Sequence, residues 1–173
     1  MAQTVEVSKE EFAAIRTGRA HPAMLNKISA SYYGTPTPIQ QLASFQVPEA
    51  RTMLVAPYDQ SALAAIERAI RDSDLGVNPS NDGHVIRIVL PQLTEERRKE
   101  YTKLARAKAE EGRIAVRNAR RHAVDACKKL EKDKQVGEDD VTRAEKKLDE
   151  VTKKHIEAID DLLKRKEAEL MEI

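Results

Sequence analysis

Four arginines lie within nine consecutive residues of this chain, in the stretch RIAVRNARR at positions 113–121. They are Arg113, Arg117, Arg120 and Arg121, and no acidic residue within the stretch can pair with them locally. On a helical wheel they share an arc of about 100° with Lys99 and Arg106. Because guanidinium groups match phosphate geometry with paired hydrogen bonds, this arginine face favours binding of a nucleic-acid backbone.

Two other interpretations of the basic face remain open. In the first, the face is simply a solvated helix surface. In the second, it belongs to a helical scaffold or chaperone-like module that binds an acidic protein. An ordinary solvated face mixes lysine and glutamate at i,i+4 spacing, which residues 113–121 do not. Aromatic residues make up only 3% of the chain, so few are available for base stacking, and structured RNA or duplex is favoured over single strands.

Little in the chain supports catalysis. The histidines fall on different predicted elements, at His21, His84, His122 and His155, and no cluster has the spacing of metal ligands. Neither glycine-rich phosphate-binding motif occurs. The single cysteine, Cys127, lies on the apolar side of its predicted helix, where a core residue is expected and not a nucleophile. We therefore predict a binding protein that is not an enzyme and needs no metal or cofactor.

The charge is distributed unevenly along the chain. Overall there are 30 basic and 29 acidic side chains, but residues 94–134 carry 14 basic and 8 acidic ones, whereas residues 135–173 carry 8 and 12. This segregation indicates a polyanion-facing surface with an acidic element elsewhere. There is no long apolar run or signal-peptide pattern, and a lone cysteine fits a reducing compartment, so we expect a cytoplasmic protein.

The part of the chain before the arginines is predicted to form a short helix and a small α/β region. The helix is predicted from Ser8, its expected N-cap, to Thr17, and Gly18 ends it. In residues 24–90, strand patterns occur in NKISASYY, ASFQV, RTMLVAP and HVIRIVLP, and GTPTP has turn chemistry. Residues 61–70 have helical spacing with Ser61 as a possible N-cap.

After Pro91 the pattern is helical throughout. Thr94 is the expected N-cap of the arginine-bearing helix, which is about 60 Å long and has Leu104, Ala115, Val116 and Ala126 on its apolar arc. Its break is expected at residues 134–141, where Gly137 would end one helix before the next begins. The last helix carries an apolar seam suited to antiparallel packing, formed by Val141, Ala144, Leu148, Val151, His155, Ile159 and Leu162.

None of these amphipathic helices can bury its apolar face alone. The predicted fold is therefore α+β: an elongated antiparallel three-helix bundle formed by residues 1–18 and 92–173, with a small β/α/β domain at residues 19–91 inserted between the first and second helices. The two connections between the domains would form a natural hinge.

Six blocks of sequence, spread in one order over nearly the whole chain, resemble the bacterial ribosome recycling factors. The blocks are IRTGRA, YYGTPTPIQQLAS, SDLGVNP, PQLTEERRKE, VRNARR and KEAELMEI. The resemblance suggests an actinobacterial origin and implies an L-shaped monomer with an outline similar to transfer RNA. It also implies binding to the post-termination ribosome, followed by subunit dissociation and release from mRNA with elongation factor G and GTP, with no bond change catalysed by the factor itself and no membrane partner.

The resemblance implies contacts with large-subunit ribosomal RNA at Arg117, Arg120 and Arg121, and at Arg16 on the first helix. Arg19 and Arg113 join them from charge and position. The implied hinge residues are Gly18, Arg19, Pro91, Gln92 and Leu93. Members of this family have a longer first helix, so we expect the far end of the bundle to be under-packed here.

Overall fold

The structure, a computed structural model, describes residues 1–172. Two compact units make up the chain: Met1–Phe12 with Thr102–Ala168, and Ala13–Tyr101 with the residues from Glu169 on. The unit boundaries fall inside helices, whereas the predicted domain boundaries at residues 18 and 91 fall in loops and stay a prediction. The fold class is α+β, as the sequence predicts. No helix among the described residues is both long and apolar enough to cross a bilayer.

The first unit consists mainly of three helices: α1 at Ala2–Ala13, α4 at Glu95–Lys132 and α5 at Glu138–Met171. Arg106 pairs with Glu167 and Arg113 pairs with Asp160, so α5 runs antiparallel to α4. The contacts of α1 step in the same way, because Lys108 pairs with Glu11 and Gly112 lies against Ser8. This arrangement confirms the predicted bundle. It gives each amphipathic helix two neighbours against which its apolar side chains can be buried.

The predicted limits of α1 are wrong. The helix begins at Ala2 and ends at Ala13, and Ser8 is a buried residue in its middle instead of its N-cap. A Cβ atom built on Gly112 would lie 2.6 Å from Oγ of Ser8 and 3.1 Å from Cδ1 of Ile159. The three helices therefore meet at Gly112, and tertiary packing at Ser8 overrides the capping signal of a serine.

Helix α4 begins as predicted, because Oγ1 of Thr94 accepts a hydrogen bond from the backbone N–H of Arg97 at 3.2 Å. Its buried face carries Ala105, Ala109, Gly112 and Val116. Leu104, Ala115 and Ala126 of the predicted apolar arc are exposed, contrary to that prediction. The small residues at the buried positions permit close contact with the neighbouring helices.

The break between α4 and α5 lies where the sequence predicts it, but Gly137 has a different role. Helix α4 ends at Lys132, and the chain turns at Lys134, which has φ of 57°. The N–H of Gln135 donates to the carbonyl of Leu130 and closes the end of the helix. The carbonyl of Gly137 instead accepts the first hydrogen bond of α5, from Val141 at 3.2 Å. The predicted seam of α5 is confirmed, since Val141 and Ile159 are buried and its other members are half-buried.

Besides the beginning of α4 and the end of α5, the described part of the second unit contains two antiparallel sheets and two α-helices of its own. The strands are β1 at Ser29–Tyr32, β2 at Thr35–Pro38, β3 at Ala43–Glu49, β4 at Thr52–Pro57, β5 at Ser80–Asn81 and β6 at Ile86–Val89. One sheet pairs β1 with β2, and the other has the order β3-β4-β6-β5. The helices are α2 at Ile39–Leu42 and α3 at Leu63–Arg71, with short 3-10 turns at Pro22–Leu25 and Gln60–Ala62.

Two local predictions in this unit need correction. The turn predicted at residues 34–38 is strand β2, and the turn itself is Tyr33–Gly34, with φ of 47° and 78°. The prolines of β2 are tolerated because the sheet has only two strands, so every strand is an edge. Asp59, not Ser61, caps the turn before α3, since its Oδ1 accepts from the N–H of Ser61 at 2.9 Å.

The core of this unit lies between α3 and the larger sheet. Ile66 and Ile70 of α3 are fully buried in one cluster with Val55, Ile86 and Ile88 of the strands. Alternation along β6 buries Ile86 and Ile88 and leaves Arg87 and Val89 exposed, as the sequence pattern predicts.

Candidate nucleic-acid interface

The arginines of α4 lie beside its buried face and reach towards α5. Helical spacing places Arg113 and Arg120 about 80° and 60° from Ala105 around the helix, whereas Arg117 and Arg121 lie about 120° and 160° from it. The first pair of side chains therefore emerges close to the contact with α5, and the second pair points farther into solvent. Burial follows this order, since Arg113 and Arg120 are partly buried while Arg117 and Arg121 are exposed.

Arg113 is the most enclosed of the four arginines, with 21% of its side chain exposed. Its Nε and Nη2 donate to Oδ1 of Asp160 at 2.7 and 2.6 Å, and its Nη1 donates to Oε2 of Glu110 at 3.0 Å. Burial alone would lower the pKa of Arg113, but the two carboxylates outweigh it and the pKa is raised. The same hydrogen bond from Arg113, with a smaller one from Arg117, lowers the pKa of Glu110.

Arg120 is held along one edge only. Its Nε and Nη2 donate to the same oxygen, Oδ1 of Asp149, at 2.7 and 2.6 Å, and 39% of its side chain is exposed. Nη1 makes no hydrogen bond to any of the described residues, so that side of the guanidinium remains available to an external acceptor.

Arg117 and Arg121 are more exposed than Arg113 and Arg120 and donate fewer hydrogen bonds to carboxylates. Arg117 makes one longer contact, from Nη1 to Oε1 of Glu110 at 3.3 Å, and 55% of its side chain is exposed. Arg121 is exposed and forms no ion pair within residues 1–172. The four arginines thus range from fully engaged to fully available.

The sequence prediction of an acid-free arginine face is wrong in three dimensions. Within 113–121 there is indeed no acid, but three of the four arginines reach acids outside the stretch. Glu110 lies one turn earlier on α4, and Asp149 and Asp160 come from α5. Asp149 and Asp160 are the functional candidates that sequence reasoning missed, whereas Glu110 already interrupts the basic face on a helical wheel. The repeated seven-residue spacing of Arg106 and Arg113 on α4, and of Asp160 and Glu167 on α5, was the available signal.

Arg16 occupies a position that differs from the predicted one. It lies after the end of α1, in the second unit, and is only 6% exposed. Its Nη1 donates to the carbonyl of Leu75 at 2.6 Å and its Nη2 to the carbonyl of Pro91 at 2.9 Å. A residue so enclosed presents almost no surface to RNA, so the RNA contact of Arg16 stays a prediction for which this structure offers no face.

Arg19 is exposed, with 77% of its side chain accessible and a long ion pair to Glu172 at 3.8 Å. Together with Gly18, Gln92 and Leu93 it lines a cavity of about 300 Å³ within the second unit. The predicted hinge residues all lie outside helices and strands, in residues 18–19 and 91–93. Their role in movement stays a prediction.

The part of the chain that the structure describes contains no group of three or more His, Cys, Asp or Glu residues arranged to hold a metal ion. Cys127 is half-buried and forms no disulfide.

Comparison with known proteins identifies relatives over the whole chain. A family model described as ribosome recycling factor matches residues 8–171. The ribosome-recycling factor of Cutibacterium acnes is 68% identical over 173 residues, and that of Streptomyces coelicolor is 61% identical over 173 residues. Each of these alignments covers 100% of this chain and 94% of the relative.

Solved structures give the same result. A solution structure of the ribosome recycling factor is similar with a TM-score of 0.77 and 42% identity, covering 99% of this chain and 91% of that chain. A second similar structure has a TM-score of 0.69 and 46% identity, covering 99% of this chain and 92% of the other. It comes from models for the T. thermophilus ribosome recycling factor and the E. coli elongation factor G bound to the E. coli post-termination complex.

Proposed function

Because the chain belongs to the ribosome recycling factor family, its function is ribosome recycling, and we propose that it binds the post-termination ribosome through the arginine face of α4. The single observation that carries this proposal is the exposure of the guanidinium groups on one side of α4. It ranges from Arg113, whose side chain is 21% exposed, to Arg121, which is exposed to solvent. The guanidinium fork matches the oxygens of a phosphate group with paired hydrogen bonds, as it does those of a carboxylate.

The RNA partner is proposed to be large-subunit ribosomal RNA. Arg121, Arg117 and the open side of Arg120 are the proposed contacts, because these groups retain donors that no carboxylate occupies. Arg113 has two carboxylate partners and supports the others by holding α4 and α5 together. Arg19 is accessible and remains a proposed contact by charge and position.

Elongation factor G and GTP are the proposed partners of the reaction, and the chain itself is proposed to catalyse no bond change. A similar structure was obtained for a ribosome recycling factor together with elongation factor G, which supports this assignment. The backbone at Gly18–Arg19 and Pro91–Leu93 is proposed to bend during subunit dissociation, since these residues belong to no helix or strand. The place of action is proposed to be the cytoplasm, where post-termination ribosomes are found.

An acidic protein partner is the alternative, and one observation favours it: Asp149 and Asp160 show that carboxylates can dock on these guanidinium groups. Salt dependence separates the two. RNA binding releases condensed counterions, so the logarithm of the binding constant falls steeply and linearly with the logarithm of salt concentration.

The experiment is co-sedimentation of the chain with vacant ribosomes and with separated subunits over a series of salt concentrations. We expect binding to ribosomes and to large subunits, with a slope of several units. Failure to bind either particle at low salt would refute the proposed function. Binding with a flat salt response would refute the RNA contact and favour a protein partner on the ribosome.

A further inference from the structure

Three arginines of α4 that are seven residues apart each donate a hydrogen bond from Nε to a carboxylate of α5. The pairs are Arg106 with Glu167, Arg113 with Asp160, and Arg120 with Asp149. Each bond is 2.7 Å long. Side-on bonding of this kind orients the guanidinium plane as well as fixing its distance.

The third pair departs from the register of the first two. The partner moves seven residues back along α5 between the first and second pairs, but eleven residues back between the second and third. A step of seven would reach position 153, where Lys153 stands. Arg120 instead reaches Asp149, one helical turn farther from that position. Asp149 therefore supplies an acid to Arg120 where the regular repeat offers a repelling charge.

The Asp149 contact leaves Arg120 poised at the surface. Both Nε and Nη2 point to the same carboxylate oxygen, whereas Nη1 faces no acceptor among residues 1–172. With 61% of its side chain exposed, Asp149 lies at the rim of the proposed interface and not beneath it. Arg113, by contrast, has carboxylates on both sides, and Arg121 has none.

We propose that Asp149 is a positioning residue that holds the Arg120 guanidinium in the orientation required to bind an RNA phosphate through Nη1. This inference rests on the proposed function, since it assumes that the arginine face of α4 meets ribosomal RNA. A free arginine loses much rotamer freedom when it binds, and an arginine already held by Asp149 loses less. Asp149 also offsets part of the positive charge, which weakens attraction to phosphates that do not fit the held geometry. It therefore raises selectivity for the matching RNA surface.

The test compares Asp149→Asn with Glu150→Gln. Both substitutions remove one negative charge, and Glu150 is an exposed neighbour with no ion pair in the described chain, so it controls for net charge. Affinity is measured for large ribosomal subunits and for a generic RNA duplex at one salt concentration. We expect Asp149→Asn to bind subunits about threefold to tenfold more weakly than Glu150→Gln, the factor that immobilising one flexible side chain costs. Duplex binding should be equal or tighter.

A double-mutant cycle shows whether the effect passes through Arg120. In an Arg120→Ala background, Asp149→Asn should change subunit affinity no more than Glu150→Gln does. Persistence of the loss in that background overturns the proposal, because Asp149 would then act independently of Arg120. Equal or tighter subunit binding by Asp149→Asn, compared with Glu150→Gln, also overturns it and makes Asp149 a bystander or a competitor of phosphate. If the unsubstituted chain fails to bind subunits, the proposed function fails instead.

Discussion

Nη2 of Arg16 donates a 2.9 Å hydrogen bond to the carbonyl oxygen of Pro91, joining residues that are 75 positions apart in the chain. Pro91 belongs to one proposed hinge segment and Arg16 lies two residues before the other, and the same guanidinium also donates to the carbonyl of Leu75. One buried side chain thus fixes three backbone segments of the second unit. Its role in the structure is to donate hydrogen bonds to backbone carbonyl groups that lie outside the helices and strands.

We predict that Arg16→Ala destabilises the protein by about 2–5 kcal/mol, because two carbonyl groups lose their charged donor. Chemical denaturation measures the change. Arg19→Ala is the matched control, since its side chain is exposed and its ion pair is long, and it should cost less than about 0.5 kcal/mol. Normal stability of Arg16→Ala together with lost ribosome binding would establish Arg16 as the RNA contact that the sequence predicts.

A second prediction concerns Gly112. Gly112→Ala should lower stability by about 1–3 kcal/mol, although alanine is the better helix former, because its Cβ would lie 2.6 Å from Oγ of Ser8. Thermal unfolding measures the loss. Combining it with Ser8→Ala removes the clashing oxygen and should recover part of the stability. If the double variant is no more stable than Gly112→Ala, the clash with Ser8 is not the cause.

The partners of the arginines show what sequence could and could not predict. Thr94, the helical repeat and the seam of α5 are local or periodic signals, and the structure confirms them. The pairing of Arg120 with Asp149 depends on how α4 and α5 are aligned. Because the step along α5 is eleven residues and not seven, a regular seven-residue repeat does not predict this pair. Burial of Ser8 likewise depends on Gly112, a residue more than 100 positions away.

The small unit shows the same division. Alternating patterns identified most strands, whereas the proline-containing β2 was missed because proline and glycine indicate turns in any local analysis. The burial of Arg16 could not be predicted either, since its acceptors are backbone carbonyls that any sequence supplies. The positive charge of Arg16 therefore suggests an exposed side chain, whereas the structure buries it.

Arg113 is predicted to differ from its neighbours on α4. Arg113→Ala should destabilise the protein by about 1–2 kcal/mol, because the partly buried guanidinium links Glu110 on α4 to Asp160 on α5. Arg117→Ala, which loses one longer contact, should change stability by less than about 0.5 kcal/mol. Urea titration of both variants provides the comparison. Equal stability of the two would contradict the distinction between supporting and contacting arginines.

The hydroxyl of Tyr32 donates to Oδ2 of Asp59 at 2.8 Å, which raises the pKa of Tyr32 to about 12. Because the folded-state pKa lies above the ordinary value near 10, the stabilisation is complete below pH 10 and is lost as pH rises through 12. Ultraviolet titration of tyrosinate should show one late-ionising tyrosine that Tyr32→Phe removes. Asp59→Asn should shift this ionisation to lower pH, and an unchanged titration would contradict the contact.

Binding of the Arg121→Ala variant to large ribosomal subunits tests the account most directly, with Lys147→Ala as control. Both residues are exposed cations without ion pairs among residues 1–172, but Lys147 lies about 200° around α5 from Asp149, away from the arginine face. We predict that Arg121→Ala weakens binding and lowers the salt slope by about one unit, with its melting temperature unchanged. Lys147→Ala should leave the slope unchanged. Equal affinities and slopes for the two variants would contradict the assignment of α4 as the face that binds RNA.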